Sequence, residues 1–147
     1  VGSGTVIARL AVPLYLIAIA AAVLLPDPQA IGTFKYNVGM QIQRIANRIS
    51  HVSPTALGDI ASNIIAFIPL TFLLGMAWRR VPVWVWGLVG MLASVGAETA
   101  QYLLPELSRR PDIWNVIENS IGAWIGALLA SLTRACRSDR RTPKLLS

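Results

Sequence analysis

The stretch IASNIIAFIPLTFLLGMAW, residues 60–78, meets Arg79-Arg80-Val81-Pro82 and then VWVWGLVGMLASVGAETAQYLL, residues 83–104. Each run is long enough to cross a bilayer, which takes about 20 mainly apolar residues as helix. The four residues between them leave room only for a tight antiparallel hairpin. Residues 6–25 and 113–132 are two further runs of the same kind. The expected fold is all-α, a polytopic membrane bundle of four transmembrane helices. Composition agrees: 54% of the chain is hydrophobic, only 14% is charged, and the mean hydropathy is +0.57, well away from an ordinary soluble domain. At 147 residues the chain is one domain. Residues 1–133 would form the transmembrane bundle, and residues 134–147 a basic cytoplasmic tail expected to be disordered. Residues 6–25 lack a strong basic flank and a convincing small-residue cleavage site, so they read as a mature helix and not a signal peptide.

The net charge of +6 invites a nucleic-acid reading, but its distribution argues against one. Arg79 and Arg80 lie between spans, and Arg134, Arg137, Arg140, Arg141 and Lys144 follow the last. This is the positive-inside bias. It expects both termini in the cytoplasm of a cell-membrane protein, with residues 26–58 and 105–112 outside. The tail would touch anionic lipid. Cys136 is the only cysteine, so no intrachain disulfide can form. Trp78, Trp84, Trp86 and Trp114 read as interfacial anchors.

The long loop after the first span has its own pattern. Val38, Ile42, Ile45, Ile49 and Val52 recur at helical spacing, with Gln41, Arg44, Asn47, Arg48 and His51 elsewhere. An amphipathic helix in the outer interface, or one capping the bundle, fits this pattern. Pro69 should kink the second span near Ala66, because it removes a backbone donor. In the fourth span Gly122 and Gly126 form a small-xxx-small pattern that lets two helices approach closely.

Polar groups inside apolar helices carry the functional argument. A charge at mid-bilayer costs roughly 2.5–3.5 kcal/mol even on the lenient insertion scale. At about 1.5 Å per residue, Asn63 lies about 6 Å below Asp59. Glu98 lies about 9 Å below residue 104, and Asn119 about 9 Å into the fourth span from residue 113. Three helices thus bring polar side chains to one level, with Asp59, Gln101, Arg109 and Asp112 around a mouth above them. The candidate ligand-binding set is Asp59, Asn63, Glu98, Gln101, Arg109, Asp112 and Asn119. Buried amides and ion pairs can also serve only to fix helix register. Glu98, Asp59 and Asp112 are the candidates for acid–base catalysis. No metal and no cofactor is expected, since there is no dense ligand motif and no glycine-rich phosphate loop.

The ordered set Asp59-x-x-x-Asn63-x-x-x-Phe67-x-Pro69, Ser94-x-x-x-Glu98-x-x-Gln101, Arg109-x-x-Asp112 and Asn119-x-x-Gly122-Ala123-x-x-Gly126 resembles the VanZ-like family. The resemblance implies a small bacterial membrane protein of the kind named for teicoplanin resistance, and a setting more than a reaction. Two positions depart from the family pattern. Asn115 stands where the family usually has Asp, and Thr71 where it often has Gly; Glu118 is the nearest carboxylate that could compensate for the first.

The leading expectation is a protein that binds a lipid-linked or amphiphilic cell-envelope molecule in an outward-facing polar pocket and lowers teicoplanin binding. Its partners would be a membrane lipid or lipid-linked cell-wall precursor, with a lipoglycopeptide as a further candidate and no nucleic acid. One alternative is an envelope-modifying enzyme using carboxylate acid–base chemistry on a lipid-linked precursor. The other is a structural partner of another membrane protein. A channel is disfavoured, because the inner halves of the spans carry no polar path.

Overall fold

A computed structural model describes residues 3–24, 28–45, 51–104 and 112–139. These form five helices: α1 (Ser3–Leu24), α2 (Pro28–Ile45), α3 (Pro54–Ala77), α4 (Val83–Leu103) and α5 (Ile113–Asp139). Helices α1, α3, α4 and α5 are each long and apolar enough to cross a membrane, and no strand occurs among the described residues. The protein is a multi-pass membrane bundle. The spans alternate in direction, so one end gathers Asp59, Glu98 and Asp112 and the opposite end gathers Arg79, Arg80 and Arg134. We call these the polar end and the arginine end. Gly4, early in α1, lies against the Arg137 guanidinium late in α5, which puts the two outermost described segments together at the arginine end.

Local chemistry sets the helix ends. Ser53 caps α3, its Oγ accepting from the Ala56 N–H at 3.2 Å, with Pro54 in the first turn. A missing N–H costs nothing at that position. Asp112 does the same for α5, its Oδ1 accepting from the Trp114 N–H at 2.9 Å. At the arginine end the last carbonyls of α3 have no donors of their own. Arg134 supplies them: it donates to Gly75, to Trp78 at 3.2 Å and to Val81 at 3.0 Å. A cation there also suits the helix dipole. Helix α5 runs on to Asp139, and Arg134 is held against the end of α3 and the hairpin. Residues 140–147 lie outside the described set.

Helices α3 and α5 form the centre. Lipid gives helices no hydrophobic reason to associate, so close contact and hydrogen bonds must hold them. Side chains added at Gly122 and Gly126 would run into the backbone carbonyls of Ile64 and Ile68; only glycine lets α5 lie this close to α3. Thr71, fully buried, donates across this seam to the Ala123 carbonyl at 2.8 Å. Helix α4 joins at the same level. A Cβ on Gly90 would meet the Ala123 Cβ at 2.5 Å and the Thr71 Cγ2 at 2.7 Å. The Thr71 side chain is accommodated because Gly90 and Gly126 make room for it.

Helix α1 rests on α3 alone among the larger packings. It buries Ala8 and Val12, with Tyr15 and Ile19 continuing the same stripe. Two hydrogen bonds pin it: Arg9 Nε to the Ala77 carbonyl at 3.1 Å and the Tyr15 hydroxyl to the Ala66 carbonyl at 2.8 Å. The second falls beside the break in the ladder that Pro69 causes, where α3 carbonyls lose a regular donor. Helix α2 starts earlier than its apolar periodicity suggested, at Pro28. It crosses α3 at Gly39 and Gly58, whose added side chains would strike the carbonyls of Pro54 and Lys35. Its apolar stripe ends early, since Ile45 is 86% exposed. Ile49 and Arg48 lie outside the described residues, and Arg44 and His51 are exposed.

Gly122→Val and Gly126→Val should each lower the melting temperature in detergent sharply. The clash is with backbone, so the cost should reach the upper part of the roughly 1–3 kcal/mol typical of overpacking. Gly96→Ala, at a helical site with nothing within 4 Å, should leave the melting temperature unchanged or raise it. Equal losses at all three positions would refute the close α3–α5 seam.

Candidate functional site

The site can be built upward from the seam. Thr71, Gly90 and Ala123 meet where α3, α4 and α5 converge. Four residues toward the polar end on each helix stand Phe67, Ser94 and Asn119, about 6 Å higher. Phe67 and Ser94 are buried, and Asn119 is 7% exposed; its Nδ2 donates to the Ser94 Oγ at 2.9 Å. Four residues further on stand Asn63, Glu98 and Asn115, about 12 Å above the seam. The shared register brings these three side chains into one hydrogen-bonded group.

Within that group the donors and acceptors are matched. Asn63 Nδ2 donates to Asn115 Oδ1 at 2.8 Å and to Glu118 Oε2 at 2.7 Å. Asn115 Nδ2 donates to Glu98 Oε1 at 2.9 Å, and the Asp112 backbone N–H donates to Glu98 Oε2 at 2.8 Å. A primary amide has two N–H donors and an oxygen acceptor, so Asn115 can serve Glu98 and Asn63 at once. An aspartate in its place could not donate to Glu98. Glu118 joins this set from the next position along α5, as the departure at Asn115 suggested it could.

Above and beside the group lies a cavity of about 580 Å3. It occupies the space between α3 and α4 at the polar end, with α5 behind it and α1 and α2 along its other side. Asp59, Asn63, Glu98, Gln101 and Asn119 all line it. Five of the seven residues nominated from sequence thus share one cavity. Asp112 does not line it. Its carboxylate caps α5, and it lines a second, shallower groove of about 330 Å3 between α4 and α5, which Glu98 also borders. Arg109 lies outside the described residues, as does Arg110. Glu98 is held by the Asn115 amide and the Asp112 backbone N–H.

The cavity also holds residues that the sequence reading passed over. Lys35 of α2 lines it and pairs with Asp59 of α3, Nζ to Oδ1, at 3.0 Å. Ser62 lines it too, one helical step from Asp59, and its enclosed Oγ has no hydrogen-bond partner among the described residues. Nothing local in the sequence ties Lys35 to a residue 24 positions later. Ser62 could have been found from its i,i+3 spacing to Asp59, which puts both on one face. Toward its inner end the cavity is bounded by Ile19, Ala66 and Phe67, with the Asn119 amide, already bonded to Ser94, beside them. Its wall therefore grades from charged and amide groups near the helix ends to a mainly apolar floor with one committed amide. Among the described residues no three acidic, histidine or cysteine side chains come together as a metal-binding group.

A family model described as VanZ/LLP1 matches residues 12–134, from early in α1 to the arginine that caps α3. No curated protein and no solved structure matches the chain.

Asn115→Asp should destabilise the bundle more than Asn115→Ala. Alanine loses two hydrogen bonds beside a cavity that water can enter, whereas aspartate sets a carboxylate against Glu98. Thermal melts of the purified protein at neutral pH, read by tryptophan fluorescence, would compare them. A melting temperature for Asn115→Asp at or above that of Asn115→Ala would refute the donor role given to Asn115.

Proposed function

The chain belongs to the VanZ/LLP1 family, and on that premise we propose that it binds a lipid-linked or amphiphilic molecule of the cell envelope in the cavity at its polar end. The observation that carries this reading is the cavity's own polarity gradient. Lys35, Asp59 and Gln101 stand toward its polar end, and Phe67, Ala66 and Ile19 form its deeper wall. An amphiphile lying in the same leaflet presents the matching order, head group at the surface and chain below. A soluble polar ligand would leave the deep wall unsatisfied.

The polar end faces the outside of the cell membrane in this reading, with both termini cytoplasmic. Its support is the placement of Arg79, Arg80, Arg134 and Arg137 at the opposite end, the arrangement that the positive-inside bias favours. Access from the membrane is supported by the packing. Helix α1 leans on α3 and α4 on α5, with no comparable packing joining α1 to α4, so the cavity is flanked by two helices that do not close on each other.

Binding is favoured over acid–base catalysis by the state of the carboxylates. Both Glu98 oxygens accept hydrogen bonds from α5, Asp59 is paired with Lys35, and Asp112 caps a helix. A general acid or base needs a proton path to the reacting atom, and each of these three already has a structural partner. The role in teicoplanin resistance for which the VanZ-like family is named then takes a physical form: a membrane protein that holds an envelope amphiphile at the surface where a lipoglycopeptide acts.

Cells lacking the protein should bind more labelled teicoplanin than cells restored with the wild type, by about twofold or more, a change of only a few tenths of a kcal/mol in apparent affinity. Ala97→Trp, which fills the cavity from α4, should fail to restore the lower binding at equal membrane abundance. Equal binding by all three strains would remove the resistance role; restoration by Ala97→Trp would remove the cavity from it.

A further inference from the structure

The lining of the cavity can be sorted by which polar atoms are already committed. The acceptors are largely used. Glu98 takes two N–H groups, Glu118 takes the Asn63 amide, and Asp59 takes Lys35. The two amide donors of Asn63 are spent on Asn115 and Glu118, while Asn115 and Asn119 each spend one N–H, on Glu98 and on Ser94. Two lining groups outside this network, Gln101 and Lys35, keep donor capacity. Gln101 is only 7% exposed and has no hydrogen-bond partner among the described residues. Ser62 Oγ also lacks a partner among the described residues, but it is enclosed by protein. The Lys35 ammonium has three donors and directs one contact to Asp59, whose side chain is 45% exposed and can be met by water.

The Gln101 side chain is nine-tenths buried and its unpartnered amide opens onto the cavity, so whatever fills the cavity meets it. We propose that Lys35 and Gln101, from α2 and α4, form an oxyanion subsite, and that the cavity's ligand is a lipid with a phosphate head group. The phosphate oxygens accept from the ammonium and the amide, while Asp59 turns to solvent. The chain of the lipid lies along Ile19, Ala66 and Phe67. Hydrogen bonds to a charged acceptor are roughly twice as strong as neutral ones, so the phosphate and not the chain sets the preference. This assignment rests on the cavity reading above and narrows it to one head-group class.

The test uses the full chain in nanodiscs of zwitterionic phosphatidylcholine and three probes: phosphatidic acid, diacylglycerol of the same chains, and inorganic phosphate. Binding is read by native mass spectrometry and by the shift in melting temperature. The wild type should prefer phosphatidic acid to diacylglycerol by about tenfold or more, the factor that one charge-assisted bond supplies, and should ignore inorganic phosphate. Lys35→Gln and Gln101→Leu should bring the two lipids to near equality, and Lys35→Arg should keep the preference. Equal binding of both lipids by the wild type overturns the oxyanion subsite and leaves the amphiphile reading standing. Binding of neither lipid overturns the amphiphile reading itself. Saturation by inorganic phosphate at the affinity of phosphatidic acid overturns the lipid as ligand. A preference that survives in both Lys35→Gln and Gln101→Leu overturns the residues assigned.

Discussion

The contact on which the rest of this structure depends is the approach of α5 to α3 through Gly122 and Gly126, locked by the Thr71 hydroxyl on the Ala123 carbonyl. Inside a bilayer no hydrophobic gain sorts helices against each other, so proximity of backbones and a few interhelical hydrogen bonds decide the register. Once Thr71 and Ala123 face each other and Gly90 drops α4 into the same notch, every residue four or eight positions toward the polar end is brought to a shared height. The layer of Ser94 and Asn119 and the layer of Asn63, Glu98 and Asn115 follow from that single alignment. A slip of one residue in α5 would point Asn115 away from both partners.

The polar end satisfies most of its groups within the protein. Four polar side chains, two of them amides, and one backbone N–H close a chain of hydrogen bonds from Glu118 through Asn63 and Asn115 to Glu98 and the start of α5, with Ser94 and Asn119 bonded one layer below. Two unpaired buried carboxylates would be prohibitive in this setting, whereas paired and hydrogen-bonded ones are tolerated. This separates two uses of polar residues that look alike in the sequence. Asn63, Asn115 and Asn119 hold helices; Gln101, with Lys35, faces the open cavity. The cavity lies at the polar end, where α3, α4 and α5 meet α1 and α2. At the other end Arg134 ties the last turn of α3 and the hairpin to α5, and Trp78 stacks at a tilt on Trp86 with ring centres 5.6 Å apart.

Much of this was legible in the chain. Long apolar runs and a four-residue connector define the spans and the hairpin, because a bilayer demands a fixed helical length. The small-xxx-small pattern at Gly122 and Gly126 marks a close helix contact, and helical rise puts Asn63 and Glu98 at one depth; Asn119, expected level with them, lies one layer deeper beside Ser94, and Asn115 takes that place. The candidate site was legible as a neighbourhood: Asp59, Asn63, Glu98, Gln101 and Asn119 do line one cavity. What was not legible is explained by distance along the chain. Nothing near Arg134 in sequence shows the carbonyls it reaches more than fifty residues away. Nothing near Lys35 shows its pairing with Asp59 on another helix, and the start of α2 at Pro28 is not marked by the apolar periodicity that begins later.

The sequence by itself determined the class of protein, the number and alternation of its spans and the end at which its polar groups collect, because these depend on hydrophobic length and on rise per residue. Only the tertiary structure decided which of those polar groups are spent and which are left. A hydrogen bond commits a particular donor to a particular acceptor, and the partners here come from different helices, 14 to 55 residues apart across the polar network. Their pairing is set by where glycine allows two backbones to touch, and that contact is made in three dimensions.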